Sequence, residues 1–440
     1  MFSRPIAQSY HYYVVSGGSP REFAVRILSR RGLGEYTEKL LENELAGGGL
    51  SPADRALCQE LVYGMVRWQM TLDWLVARKT GDRPQPAGLR LLLHLGLYQL
   101  FWLQRIPDHA AVHETVELGK RLGFGAQTGF LNAVLRAYSR EREATTRQLQ
   151  DLKHSDPALG YSHPAWLVQR WQGRWEAAKT AQLLEWNNTP PSVFARLNLL
   201  KTDFAGLAAA WRLEGVDFQE RHWDWTDRNQ VFELKSHPPL SQCQSFQSGF
   251  FYVQDPGTLL AVNELDPQPG ENILDLCAAP GGKTACLAQR MQNRGRIAAR
   301  DIQPERLKLA RENCARLGVA CVEFEDHPSP QAFDRILVDA PCSNTGVLRR
   351  RVDLRWRLRA GEIERLRQEQ EALLEAAAPQ LKAGGTLLYS TCSLEPEENE
   401  SVAQEFLARH AGFKLERQRQ LLPFADGVDG AYVTRLRKSS

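Results

Sequence analysis

The sequence predicts an α/β protein whose C-terminal part is a mainly parallel, doubly wound sheet, preceded by an all-α domain and a small α/β connecting domain. Three observations predict this. From Arg21 to Arg142 apolar residues recur at three- and four-residue spacing, the period of amphipathic helices. From about Ser236 short apolar runs alternate with helical stretches, the pattern of parallel strands joined by crossover helices. Between the two lies a segment in which helical periodicity gives way to a brief β-like run. The expected division is a poorly ordered leader at 1–20, a helical domain at 21–145, a connecting domain at 146–235 and the sheet domain at 236–440.

In the helical domain, AVRILSRRGL, TEKLLENEL, DRALCQELVYGMVRWQMTLDWLVA, GLRLLLHLGLYQLFWL, HAAVHETVELGKRL and TGFLNAVLRAYSRE are separated by short Gly, Pro and Asp punctuation. Leu91 to Leu103 is interrupted by His94 and Gln99 and falls short of the ~20 residues a membrane-spanning helix needs, so it reads as a buried helix. In the sheet domain the strands are ENILDLCAA, GRIAARDI, ACVEFED, FDRILVDAP and GGTLLYSTCS.

At 440 residues the chain exceeds one ordinary domain of about 100–200 residues. Its 43% hydrophobic and 24% charged content excludes fibrous, disordered and membrane classes. A net charge of +3 neither demands nor excludes a nucleic-acid partner, so the placement of arginines matters more than their number. No secretory signal pattern opens the sequence. Eight cysteines (Cys58, Cys243, Cys277, Cys286, Cys314, Cys321, Cys342 and Cys392) lack framework or zinc spacing, which points to free thiols, a reducing cytoplasmic compartment and no structural metal.

The strand ending at Asp275 leads into Leu276-Cys277-Ala278-Ala279-Pro280-Gly281-Gly282-Lys283-Thr284 and then a helix. Ligands of open α/β sheets bind at the carboxyl ends of strands, where glycine lets backbone approach them. A Walker phosphate loop needs glycine where Cys277 stands, and the G-x-G-x-x-G fingerprint is absent. A plain turn explains a glycine but not the acids that end successive strands: Asp275, Asp301, Asp326 and Asp339. Asp301 is suited to ribose hydroxyls, Asp326 to the amine of adenine, and Asp339 to the reacting centre. Together they predict a nucleoside site.

Two strand ends carry cysteines: Asp339-Ala-Pro-Cys342 follows the fourth strand and Tyr389-Ser-Thr-Cys392 the fifth. C5 of cytosine is too poor a nucleophile to accept a methyl group unaided, but a thiolate adding to C6 turns the ring into an enamine that can. A free thiol has a pKa near ~8.5, so Cys392 needs a positive potential, for which Lys283 and a helix expected to start at Glu395 are the candidates. Asp339, hydrogen-bonded to N3 or N4, would stabilise the ring as C6 is attacked.

DLCAAPGGKT, DAPCSNTGVLRR, LKAGGTLLYSTCSLEPEEN, YSHPAWLV and NNTPPSVFARLN resemble the Sun-type (Fmu, or RsmB-type) bacterial 16S ribosomal RNA cytosine-5 methyltransferases, over nearly the whole chain beyond the leader. The resemblance implies a NusB-like RNA-binding domain, a connecting domain and a Rossmann-type domain that uses S-adenosylmethionine. It implies that Cys392 attacks C6 and that Cys342 aids release of the product. It assigns the cofactor to Cys277 through Lys283 with Asp301, Asp326 and Asp339, and the substrate to 16S ribosomal RNA or an early small-subunit assembly intermediate. The protein is expected to act as a cytoplasmic monomer away from membranes.

Arg349, Arg350, Arg351 and Arg355, with Arg357 and Arg359, crowd around Trp356 just after the Cys342 motif. Arginine forks bind phosphates and flat rings stack on splayed bases, so this run is the expected RNA contact, with Arg435, Arg437 and Lys438 as an extension.

Overall fold

The computed structural model describes residues 18–31, 34–325 and 332–440. The predicted leader therefore lies almost wholly outside the described residues, as does Asp326. The chain divides into two compact units, one ending at Arg174 and the other running from Trp175 to Ser440.

The first unit is helical. Pro20–Arg30 starts where the Ser19 hydroxyl accepts the Glu22 amide, and Pro52–Arg67 starts in the same way at Ser51. Ala87–Trp102 is buried nearly all round, as a helix apolar on every face must be, and is packed against helices at 20–30, 52–67, 69–80, 108–121 and 128–140. Helices Thr37–Ala46, Arg142–Ser155, Pro157–Gly160 and Ala165–Arg174 complete the α-helices of this unit among the described residues. No helix among the described residues is long and apolar enough to cross a membrane.

The second unit holds two sheets. The smaller has four antiparallel strands, β1 (Val193–Leu197), β2 (Asp217–Arg221), β3 (Val231–Ser236) and β4 (Phe251–Val253), in the order β2-β3-β1-β4. Trp211, from the helix Phe204–Glu214, packs its ring against Phe218, Phe232 and Phe251 to form the core of this sheet.

The larger sheet has seven strands: β5 (Asn272–Asp275), β6 (Arg296–Ala299), β7 (Val322–Phe324), β8 (Phe333–Asp339), β9 (Leu381–Thr391), β10 (Phe413–Leu421) and β11 (Ala431–Lys438). Their order is β10-β11-β9-β8-β5-β6-β7, with β9 through β7 parallel and β10 and β11 antiparallel. Chain order reverses between β5 and β8, the switch point where open parallel sheets bind ligands. The strands are apolar on both faces because helices cover both. β5, β8 and β9 thus deliver Asp275, Asp339 and Thr391 to one edge of the sheet.

Candidate active site

The loop after β5 turns sharply into the helix Gly282–Arg290. Gly281 has φ +95°, and a Cβ there would lie 3.1 Å from the Ala310 backbone, so conformation and space both require glycine. Ala278 and Ala279 are buried, Pro280 is exposed, and Cys277 is half-buried. Burial, with Asp339, Asp275 and Asp301 close by, pushes the Cys277 thiol well above its usual range. Those three acids therefore converge on the loop, as their strand-end positions predicted. Asp301 accepts the Ala279 and Gln303 amides at 3.2 and 3.0 Å. Asp275 accepts the Thr284 hydroxyl at 2.7 Å, while its Oδ1 is buried with no partner among the described residues. Burial raises the Asp275 carboxyl to about 7.

Lys283 donates to Asp339 Oδ2 at 2.7 Å, and Ser390 donates to Asp339 Oδ1 at 2.7 Å. Burial works against the lysine charge, but Asp339 and the nearby Cys392 raise its pKa overall, so it is a firm cation.

Cys342 and Cys392 leave the ends of neighbouring parallel strands with their sulfurs 3.3 Å apart. Cys342 is buried, and its hydrogen bond to Cys392, together with burial, pushes it well above the usual thiol range. Cys392 is the more open of the two. The pair thus splits into a thiol that keeps its proton and a sulfur beside Lys283. Cys392 Sγ also lies 3.1 Å from Asn344 Oδ1.

Three loops interlock here. The Gly346 amide donates to the Cys392 carbonyl at 3.0 Å and Gly430 donates to the Gly346 carbonyl at 2.9 Å. A Cβ on Gly346 would stand 2.6 Å from the Cys392 oxygen and 2.8 Å from Gly430 Cα. Sequence reasoning missed this crossing, and it missed Ser390, Asn344 and Glu398. Only their positions, within eight residues of a cysteine or next to the strand end, could have flagged them.

The helix expected at Glu395 is a single 3-10 turn, Pro396–Glu398, and the α-helix begins at Glu400. Asn399 breaks the run: its side chain turns inward to accept the Thr391 hydroxyl at 2.6 Å and to donate to the Ser393 carbonyl at 2.9 Å. The positive potential near Cys392 therefore comes from Lys283 and not from a helix start.

The arginine run also differs from expectation. Arg349 is buried over the Trp186 ring and pairs with Asp429 at 2.5 Å and Asp255 at 3.5 Å. Arg350 pairs with the same two acids at 2.5 and 2.8 Å. Arg355 is fully buried and donates to Asn188 Oδ1 and the Asn187 carbonyl. Arg349 and Arg355 are committed to protein acceptors because desolvated charge must be paired, while Arg350 makes the same ion pairs as Arg349 with its side chain 30% exposed. Trp356 is partly buried in the short helix Leu354–Arg357, and Arg351 is exposed. In the proposed extension, Arg435 pairs with Glu416, Arg437 donates to Thr386, and Lys438 donates to the Ala378 and Leu381 carbonyls.

Comparison with known proteins follows this architecture domain by domain. The NusB family matches residues 19–140, the ferredoxin-like domain of RsmF/B-like methyltransferases matches 163–224, and the 16S rRNA methyltransferase RsmB/F family matches 262–437. A probable ribosomal RNA small subunit methyltransferase B from Synechocystis is 36% identical, covering 96% of this chain and all of the relative. That of Bacillus subtilis is 33% identical over 92% of this chain and 95% of its own. Among solved structures, PH0851 superposes with a TM-score of 0.77 at 24% identity over 96% of this chain and 99% of its own, a likeness of fold. A methyltransferase homolog from Pyrococcus horikoshii has a TM-score of 0.56 at 30% identity over 64% of this chain and 98% of its own. The chain belongs to the ribosomal RNA small subunit methyltransferase B family.

Proposed function

We propose that the protein methylates C5 of a cytosine in 16S ribosomal RNA, using S-adenosylmethionine as methyl donor and a transient bond between Cys392 Sγ and C6 of the base. The observation that carries this reading is the pair of sulfurs 3.3 Å apart beside the Lys283–Asp339 ion pair, at the switch point of the sheet. The family's name supplies the substrate class.

The loop suits the donor. An unpartnered buried oxygen on Asp275 can accept a hydrogen bond from a bound amine, and Gly281 keeps the turn tight enough for backbone to face a ligand. Cys277 through Lys283, with Asp301 and Asp339, would hold it, and the Asp326 assignment rests on its strand-end place in the sequence and on the resemblance. When bound, S-adenosylmethionine supplies an electrophilic methyl group on a sulfonium.

The protein's own residues do the rest. Lys283 sets a positive charge beside Cys392, which as thiolate forms the S–C6 bond and makes C5 nucleophilic. Asp339, held by the Lys283 hydrogen bond, accepts a hydrogen bond from N4 or the protonated N3 and steadies the charge that develops on the ring. Release breaks two bonds: the C5 proton passes to water, its electron pair becomes the C5–C6 double bond, and sulfur departs as thiolate. The Cys342 thiol, which holds its proton firmly, hydrogen-bonds to that departing sulfur. A base in a duplex would first have to be flipped out, so the target is an unpaired cytosine, in free RNA or an early small-subunit intermediate. The setting is a cytoplasmic monomer.

The test is a pair of substitutions. Cys392→Ala should abolish transfer while cofactor affinity stays, and Cys342→Ala should accumulate a covalent protein–RNA adduct on a denaturing gel. Appreciable methylation by the Cys392 variant would overturn the reading. Mapping 5-methylcytosine in ribosomal RNA from a strain lacking the gene identifies the nucleotide.

A further inference from the structure

Ser343 and Ser393 directly follow the two cysteines, and both reach the same buried carboxylate. Glu398 is 0% exposed. Its Oε1 accepts the Ser343 amide at 2.8 Å and the Gln370 side chain at 3.1 Å. Its Oε2 accepts the Ser343 hydroxyl and, at 2.5 Å, the Ser393 hydroxyl. The two hydroxyls are themselves 3.1 Å apart. Gln370, from the helix Ala360–Ala377, also donates to the Pro341 carbonyl at 2.9 Å, and the Tyr389 hydroxyl donates to the Glu398 carbonyl. One carboxylate therefore gathers donors from the loop after β8, the loop after β9 and the helix between them.

A buried carboxylate costs several kcal/mol of desolvation, which only a full set of donors offsets. Replacement by an apolar side chain of similar volume would hold a fold together as well or better. What an apolar contact cannot do is fix direction. Four hydrogen bonds converging on two oxygens define where residues 343 and 393 stand, and hence where the sulfurs one residue earlier stand.

We propose that Glu398 is a positioning residue that sets the separation of the Cys342 and Cys392 sulfurs, so that Cys342 can reach the departing sulfur when the methylated base is released. The inference rests on the roles given to the two cysteines above. Loosening the clamp should spare attack by Cys392, which Lys283 serves from a different element, and should slow release.

The test uses the full-length enzyme with a 16S RNA transcript and labelled S-adenosylmethionine. Glu398→Ala removes the clamp, and Ser343→Ala removes one hydroxyl with little threat to folding. For both, the ratio of covalent adduct to released methylated RNA should rise about five- to tenfold, with KM for the donor unchanged. Separately, diamide, which takes up two hydrogens as it joins two thiols, should couple Cys342 to Cys392 several-fold more slowly than in the unmodified protein. If Glu398→Ala does not fold, Ser343→Ala alone decides. Adduct formation and release falling in parallel, or an unchanged coupling rate, overturns the proposal. The coupling needs no RNA, so failure of the nucleophile assignment, seen as methylation by Cys392→Ala, is a separate result.

Discussion

Lys283 Nζ and Asp339 Oδ2, from the start of the helix Gly282–Arg290 and the end of β8, meet at 2.7 Å. Each needs the other: the lysine is a cation in a half-buried place, and the carboxylate is held on its other oxygen by Ser390. Removing either leaves an uncompensated charge close to Cys392. Lys283→Met should therefore lower kcat by at least about a hundredfold, on the order of 3 kcal/mol of barrier. Single-turnover methylation measures this. If the loss appeared only in the donor's dissociation constant, Lys283 would be a cofactor ligand with no bearing on the thiol.

Asp275 links the loop to stability. Burial raises its folded-state carboxyl to about 7, against about 3.9 in an unfolded chain. Between those values the folded state holds a proton the unfolded state has released. Stability thus falls as pH rises through that window and levels off above it. Asp275→Asn carries no charge at any pH and still accepts from Thr284. Its melting temperature, without donor, should decline less between pH 4 and 7 and exceed that of the parent at pH 8, the underlying free-energy difference being bounded at roughly 4 kcal/mol. Parallel melting curves for the two proteins would refute this.

What the sequence made legible was local. The strand, tight turn and helix around Gly281, and the cysteines ending β8 and β9, are signals a few residues long. Within the arginine run the buried ion pairs were missed because their counter-charges lie far along the chain. Asp255 is 95 residues from Arg350 and Asp429 is 80 residues from Arg349, and no local pattern joins them. Glu398 was missed for the opposite reason. In the acidic string Glu395-Pro-Glu-Glu398 it resembles a surface charge, and only the inward turn at Asn399 makes it a buried acceptor.

The burial of Arg355 separates a structural role from an RNA-binding one. Arg355→Ala leaves Asn187 and Asn188 facing a cavity and should cost about 3–5 kcal/mol of stability in urea unfolding. The salt dependence of RNA binding should not change. Arg351→Ala, at an exposed position, should leave stability within ~0.5 kcal/mol. If Arg351 contacts a phosphate, the slope of log K against log salt falls by about 0.7–0.9. The opposite pairing of outcomes would restore Arg355 as an RNA ligand.

Asn344 offers the most direct handle on the Cys392 sulfur. Its Nδ2 donates to the Cys342 carbonyl, which fixes the amide so that Oδ1 faces Cys392 Sγ at 3.1 Å. An oxygen there accepts from a thiol but repels a thiolate. Asn344 has φ +58°, a left-handed conformation that glycine adopts without strain. Asn344→Gly therefore removes the acceptor and keeps the loop. Alkylation of Cys392 by iodoacetamide at pH 7, followed by peptide mass spectrometry, should speed up several-fold in this variant. Slower alkylation of the glycine variant at pH 7 would mean that the amide favours the thiolate, with its nitrogen and not its oxygen turned to the sulfur.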